Sequence, residues 1–293
     1  MSLFTGSCVA LVTPFHGDSV DFAALEKLLD FHLNHGTDAI LVLGTTGESS
    51  TMTSKEKESV IRFSVEKVAG KVPLFAGTGT NCTHTSIENS LLAQELGVDG
   101  VLLVTPYYNK CSQAGLEAHY RMIADNIDIP AILYNVPSRT GVNITPSTLE
   151  KLADHPNIAA IKEASGNIAQ VLDMARRVEG KMDIYSGNDD QIVPILSAGG
   201  KGVISVLANI MPQQTSDMVH KYLNGDVDIA TKMQLDFMPL VHSLFMDVNP
   251  IPVKEAMELM GMCSHDMRLP LCPMQSEQLE ALKTTLKAYQ LIK

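Results

Sequence analysis

Apolar residues along the chain alternate between two kinds of segment. Short, nearly continuous runs of aliphatic residues read as buried strands: VALVT (9–13), AILVLG (39–44), PLFAGTG (73–79), GVLLVTP (100–106), PAILYNV (130–136), IAAIKEA (158–164), DIYSG (183–187) and GVISV (202–206). Between them, apolar positions recur every three to four residues, as in FAALEKLLDFHL (22–33) and SIENSLLAQELG (86–97), the spacing of one helical face. Gly and Asp close several of these helices before the next strand, as in Gly97-Val98-Asp99-Gly100. The strands begin roughly 20 to 35 residues apart, the repeat of a βα unit.

Eight consecutive βα units without a long insertion predict a closed (β/α)8 barrel over residues 1–225. A doubly wound open sheet is the competing architecture, and the uninterrupted repeat favours closure. From Asp226 to Lys293 the chain is rich in Leu, Met, Lys and Glu at helical spacing and predicts a C-terminal helical appendage. Within it, NPIPVKEAMELMG (249–261) sets prolines ahead of a helix and a glycine behind it.

Composition narrows the possibilities. An apolar content of 45% suits a sizeable core, and a net charge of −11 argues against a nucleic-acid or anionic-membrane partner, while leaving room for an anionic substrate held by a few local cations. No run approaches a membrane span, and MSLFTGSCVALVTPF lacks the basic start of a signal peptide. Five cysteines, Cys8, Cys82, Cys111, Cys263 and Cys272, make an odd count without a CxxC pair, which favours free thiols and a cytoplasmic location.

The unusual residues gather just after the strands, where a (β/α)8 barrel carries its active site. GTTGES (44–49) follows strand two, TPYYN (105–109) strand four, YNVPSRTG (134–141) strand five and SGND (186–189) strand seven, while strand six ends on Lys162. An ammonium is costly to bury. A strand-end lysine reaching solvent is one reading of Lys162; an amine placed for use at a pocket mouth is the other. An ordinary lysine, with a pKa of about 10.4, is free amine in fewer than about one molecule in a thousand near pH 7. Burial favours the neutral form, which is nucleophilic toward carbonyls, and the resulting Schiff base is an electron sink that needs no metal. Alternation puts Ala160 and Lys162 on one face of their strand and Ile132 and Tyr134 on one face of the next, so Tyr134 can stand beside Lys162 across about 4.8 Å.

Other residues carry two readings each. GTTGES is not a phosphate-binding loop of the GxxxxGK[ST] kind. It is either an ordinary turn or a carboxylate site built from backbone N–H groups and the hydroxyls of Thr45 and Thr46. Arg139 is a surface ion-pair partner or a bidentate carboxylate clamp. Tyr107 and Tyr108 are core or interface aromatics. His32 and His35 read as a solvated face of the first helix, with no HExxH pattern to make them metal ligands, and Asp189 and Asp190 read as loop caps.

Taken in order, GTTGES, TPYYN, YNVPSRTG, IKEASG, SGND, GVISV and NPIPVK resemble the dihydrodipicolinate synthase and N-acetylneuraminate lyase family of pyruvate-dependent class I aldolases, from about Phe4 to the last helix. The double threonine and the arginine of SRTG place the resemblance on the synthase branch. It implies condensation of pyruvate with L-aspartate-4-semialdehyde to 4-hydroxy-tetrahydrodipicolinate, in lysine and diaminopimelate biosynthesis, with no cofactor beyond the imine. By the same resemblance Lys162 forms that imine, and Tyr134 relays protons in a triad with Thr45 and Tyr108. Thr46, with its backbone N–H, binds the pyruvate carboxylate, Arg139 the carboxylate of the semialdehyde, and the carbonyls near Gly187 and Ile204 border the substrate. Tyr108 would reach a neighbouring subunit's site, which implies a tight homodimer, paired again into a tetramer. Two departures stand out. SGND replaces the usual SGDD, beside the site, and carries a modest effect at most. At the feedback site for L-lysine, Ser49, Asn81 and Tyr107 match the family pattern, but Ser54, Lys57 and Thr85 stand where histidines and a glutamate are usual. A cation at position 57 opposes a cationic ligand, so weak or absent inhibition by L-lysine is expected. A pyruvate aldolase for a sugar-derived aldehyde and a non-catalytic metabolite-binding barrel are the alternatives, and the second has no need of Lys162.

Overall fold

A computed structural model describes residues 2–293. Eight parallel strands close a barrel: β1 (Gly6–Ala10), β2 (Ala39–Val42), β3 (Leu74–Gly77), β4 (Gly100–Val104), β5 (Ala131–Asn135), β6 (Ile158–Glu163), β7 (Asp183–Ser186) and β8 (Gly202–Ser205). Each strand pairs with its sequence neighbours, and β8 returns to β1 in the register Gly6↔Gly202. That closing seam depends on missing side chains. A Cβ on Gly202 would lie 1.9 Å from the carbonyl oxygen of Gly6.

The aliphatic runs are apolar on both sides because both sides are covered. Cys8, Leu41, Phe75, Leu102, Ile132, Tyr134, Ala160, Tyr185 and Ile204 point inward and fill the barrel. Val9, Ile40, Val42, Val101, Leu103, Leu133 and Ile161 point outward, against the helices. Phe4 plugs the bottom. Its ring stacks on Tyr185 with centroids 4.1 Å apart, and the Tyr185 hydroxyl donates to the Phe4 carbonyl at 2.7 Å.

The outer helices are α1 (Phe22–Asn34), α2 (Ser54–Val68), α3 (Thr83–Leu96), α4 (Gln113–Ala124), α5 (Pro146–Leu152), α6 (Ile168–Val178), α7 (Ile192–Ser197) and α8 (Pro212–Leu223). Their ends follow local chemistry. Asp21 caps α1, Thr53 and Glu56 form a reciprocal capping box on α2, and Gly97, at φ 94°, stops α3. Beyond the barrel come α9 (Val227–Leu244), α10 (Ile251–Leu259) and α11 (Ser276–Ala288). No helix among the described residues is long and apolar enough to cross a membrane, and all five cysteines are free.

Two expectations are corrected. The first strand runs over Gly6–Ala10 rather than 9–13. Only Leu11 extends its ladder, donating to the Leu41 carbonyl, before the chain turns at Pro14 into a small hairpin of Phe15–His16 with Ser19–Val20. His32 does not lie on a solvated face. It continues the buried stripe Leu25, Leu28 and Leu29, is fully buried, and places Nδ1 2.9 Å from Thr37 Oγ1. Burial pushes its pKa down to about 3, so it is a neutral core residue, whereas His35 is exposed.

Candidate active site

The site is built where β6 emerges at the barrel mouth. Ile161 and Glu163 face outward, which turns Lys162 inward, and its side chain is only 5% exposed. Tyr134 is its Cα partner on β5, and the Lys162 ammonium nitrogen lies 4.5 Å from the centre of the Tyr134 ring. Tyr185 holds the matching register position on β7, but its hydroxyl is engaged at Phe4, at the bottom. Of the two flanking tyrosines, Tyr134 alone lines the mouth.

Small neighbours make room for the lysine. A Cβ on Gly187 would sit 3.1 Å from both Cγ and Cε of Lys162 and 2.7 Å from the Ala164 methyl. Below lies Cys8, fully buried, with its thiol pushed up by burial and held neutral. The two nearby acids are tied to backbone. Glu163 accepts from the Ser165 N–H at 2.7 Å and the Asn135 amide at 2.9 Å, and burial raises its pKa. Asp189 accepts from the N–H groups of Val206 and Leu207 at 3.0 and 2.9 Å, pinning the loop after β8; burial raises its pKa too, opposed by those bonds and by the Lys162 charge. The loop-cap reading of Asp189 thus has a definite partner.

Lys162 and Tyr134 open into a cavity of about 350 Å³, whose wall also carries Thr45, Thr46, Arg139, Gly187 and Asn249. Thr46 is buried and accepts from the Asn249 side-chain amide at 3.1 Å. Arg139 stands on a single helical turn, Pro137–Thr140, that follows β5, and donates to the Asn249 carbonyl at 3.0 Å. Thr45 and Tyr134 both line this space. Asn249 escaped the sequence reading. It lies in the C-terminal helical part, just before α10, and only the NPIPVK motif marks it.

Two named residues lie elsewhere. Ile204 is 1% exposed, inside the barrel, and Val206 takes its place on the cavity wall. Tyr108 is 92% exposed, at φ 69°, outside this chain's cavity. A second, adjoining cavity of about 190 Å³ shares Thr45, Tyr134 and Arg139 and adds Ser49, Lys57 and Tyr107. No carboxylate lines it, and burial pushes the Lys57 amine down. Ser54 and Thr85 are exposed and Asn81 half-buried; none of the three lies on that wall.

A larger cleft, about 960 Å³, lies at the other end of the strands, beside Asp154, Arg176 and Lys201. It is an open surface groove at the barrel face opposite the one where (β/α)8 barrels carry their active sites. Among the described residues, the one group spaced to hold a metal ion is Glu255, Glu258 and His265, on α10 and the loop after it, off the cavity wall.

A buried amine beside a phenol, with two threonines and an arginine on the same cavity wall, can form an imine with a keto acid and move its protons. A (β/α)8 barrel with this lysine on β6 defines the class of imine-forming, lyase-type barrel enzymes. The model of the dihydrodipicolinate synthetase family matches residues 3–289, and the chain belongs to that family. It is 57% identical over 291 residues to 4-hydroxy-tetrahydrodipicolinate synthase of Clostridium perfringens, covering 99% of this chain and 100% of the relative. Two solved structures superpose over nearly full length. The chloride-inhibited dihydrodipicolinate synthase of Acinetobacter baumannii, complexed with pyruvate, has a TM-score of 0.96 at 41% identity, covering 98% of this chain and 99% of that one. The enzyme of Cyanidioschyzon merolae with lysine bound has a TM-score of 0.97 at 39% identity, covering 100% of both chains.

Proposed function

We propose that the chain condenses pyruvate with L-aspartate-4-semialdehyde to give 4-hydroxy-tetrahydrodipicolinate. The placement of Lys162 against Tyr134 at the mouth of a cavity that also holds Thr45, Thr46 and Arg139 carries this reading. The free amine of Lys162 adds to C2 of pyruvate and water leaves, forming the imine. Loss of a C3 proton gives an enamine, whose C3 bonds to the aldehyde carbon while the aldehyde oxygen takes a proton. The semialdehyde's own amine then displaces Lys162 at C2 and closes the ring, regenerating the enzyme. Tyr134, with Thr45, carries the protons. Thr46 and its N–H receive the pyruvate carboxylate, and Arg139 the carboxylate of the semialdehyde. The imine supplies the electron sink, so the chemistry calls for no cofactor.

Tyr108 belongs to the same proposal. Its exposed side chain on the loop after β4 completes a partner subunit's proton relay in a tight dimer, which pairs again into a tetramer. Residues 1–225 form the catalytic barrel and 226–293 the helical appendage. Reduction with borohydride in the presence of pyruvate tests the core of the reading. Peptide mass mapping should find the adduct on Lys162, and an Arg139→Ala variant should lose the semialdehyde reaction while still trapping pyruvate. Folded protein that forms no adduct at saturating pyruvate would refute the mechanism.

A further inference from the structure

The chain buries a second lysine that the reaction does not use. Lys254 on α10 has a fully buried side chain, and its ammonium donates to Glu48 Oε1 at 2.6 Å; the Glu48 side chain is 1% exposed. The remaining donors are also matched. One reaches the Asp266 carbonyl, and the nitrogen stands 4.5 Å over the Phe15 ring. Glu48 turns its other oxygen to the Arg268 N–H at 3.2 Å. Burial pushes the Lys254 amine down, opposed by the Glu48 carboxylate.

Glu48 is the glutamate of GTTGES. Its own N–H donates to the Thr45 carbonyl at 3.1 Å, and its backbone takes a left-handed φ of 53°, which a non-glycine residue holds only when its surroundings fix it. The ion pair therefore grips the far side of the turn that offers Thr45 and Thr46 to the cavity. Pairs buried this deeply add little net stability over apolar residues of similar size.

We propose that the Glu48–Lys254 pair is a positioning device for the pyruvate end of the site, resting on the reading of Thr45 and Thr46 above. Glu48 closes the turn that carries Thr45 and Thr46, whereas Arg139 reaches that turn only at second hand, through Asn249, which bonds both Thr46 and Arg139, so loss of the pair should act on the pyruvate end more than on the semialdehyde end. The test compares Glu48→Gln, Lys254→Met and the double variant Glu48→Leu/Lys254→Met with wild type. In the singles, KM for pyruvate should rise on the order of tenfold or more, with KM for the semialdehyde changed by less than about threefold. The double variant, with no uncompensated charge, should melt near the wild-type temperature yet keep the pyruvate defect, and amides 44–49 should exchange faster with deuterium. It also serves if a single variant fails to fold. Wild-type kinetics in a folded double variant, or equal losses for both substrates, would overturn the proposal. Wild-type protein that never traps pyruvate would instead overturn the functional reading, and this inference with it.

Discussion

Tyr134 and Lys162 are Cα partners on adjacent parallel strands, and the lysine nitrogen lies 4.5 Å above the tyrosine ring. The backbone ladder thus fixes the separation of the two residues proposed as nucleophile and proton carrier, with no loop involved. The two should be separable by substitution. Lys162→Ala removes the amine and should abolish both turnover and borohydride trapping. Tyr134→Phe keeps the ring but removes the relay; kcat should fall by about 10² to 10⁴-fold while pyruvate still traps on Lys162, more slowly. Unchanged turnover in Tyr134→Phe would remove the tyrosine from the mechanism.

Gly187 offers a second test of the same pocket. The methyl of Gly187→Ala would press within 3.1 Å of Lys162 Cγ and Cε and 2.7 Å of Ala164. Nothing in its φ requires glycine, so the effect should come from crowding of the lysine stem. A displacement of a few tenths of an ångström up to 1 Å should lower the rate of imine trapping by about 10-fold to 10²-fold, and the melting temperature should fall as well, because the Ala164 methyl at 2.7 Å has to move with its backbone. Trapping at the wild-type rate would show that the stem has room to move.

The barrel is legible because its strands are buried on both faces and read as plain aliphatic runs; alternation allows Tyr134 and Lys162 to stand side by side, and the register that pairs them comes from the structure. What escaped were relationships between segments far apart in sequence. Asn249 and Thr46 are 203 residues apart, and Lys254 and Glu48 206. Neither pair leaves a periodic trace. His32 reads as solvated for a different reason: a polar residue that continues the stripe of Leu25, Leu28 and Leu29 looks like the edge of that stripe, and only the Thr37 hydroxyl beside it shows how it is buried. The first strand was placed late because Gly6 and Ser7 look like a turn until Gly202 is seen opposite them.

The cavity beside the active site bears on regulation. Lys57 lines it without a carboxylate partner, and a bound L-lysine would bring its own ammonium against that amine. Wild-type protein should therefore keep most of its activity at millimolar L-lysine. Substituting Lys57→His should raise the response by taking the opposing charge off the cavity wall. Strong inhibition of the unaltered chain at submillimolar L-lysine would contradict this account.

Tyr108 makes the oligomer testable. With 92% of its surface exposed in a single chain, its removal should leave folding intact. Tyr108→Phe should lower kcat, and dilution to monomers should lower activity per chain further, because each site would lose a hydroxyl donated by its partner. Full turnover by an isolated monomer, followed by sedimentation under assay conditions, would refute the shared site.

His32 gives the protein a built-in sensitivity to acid. Its folded pKa of about 3 lies below the usual value of 6.5 because burial disfavours the imidazolium. Above pH 6.5 the ring is neutral in both the folded and the unfolded chain and carries no penalty. As pH falls below 6.5, the unfolded chain takes up the proton and the folded one does not, so stability is lost progressively until the folded pKa is passed. Linkage puts the loss at about 2 kcal/mol between pH 7 and pH 5. His119, whose pKa burial lowers to about 4, adds in the same direction. Melting temperatures measured across that range should fall less steeply for His32→Gln, which keeps a polar group for Thr37 but does not titrate. Equal slopes for the variant and wild type would show that His32 is already as hard to protonate in the unfolded chain, or that it opens to water well below the melting point.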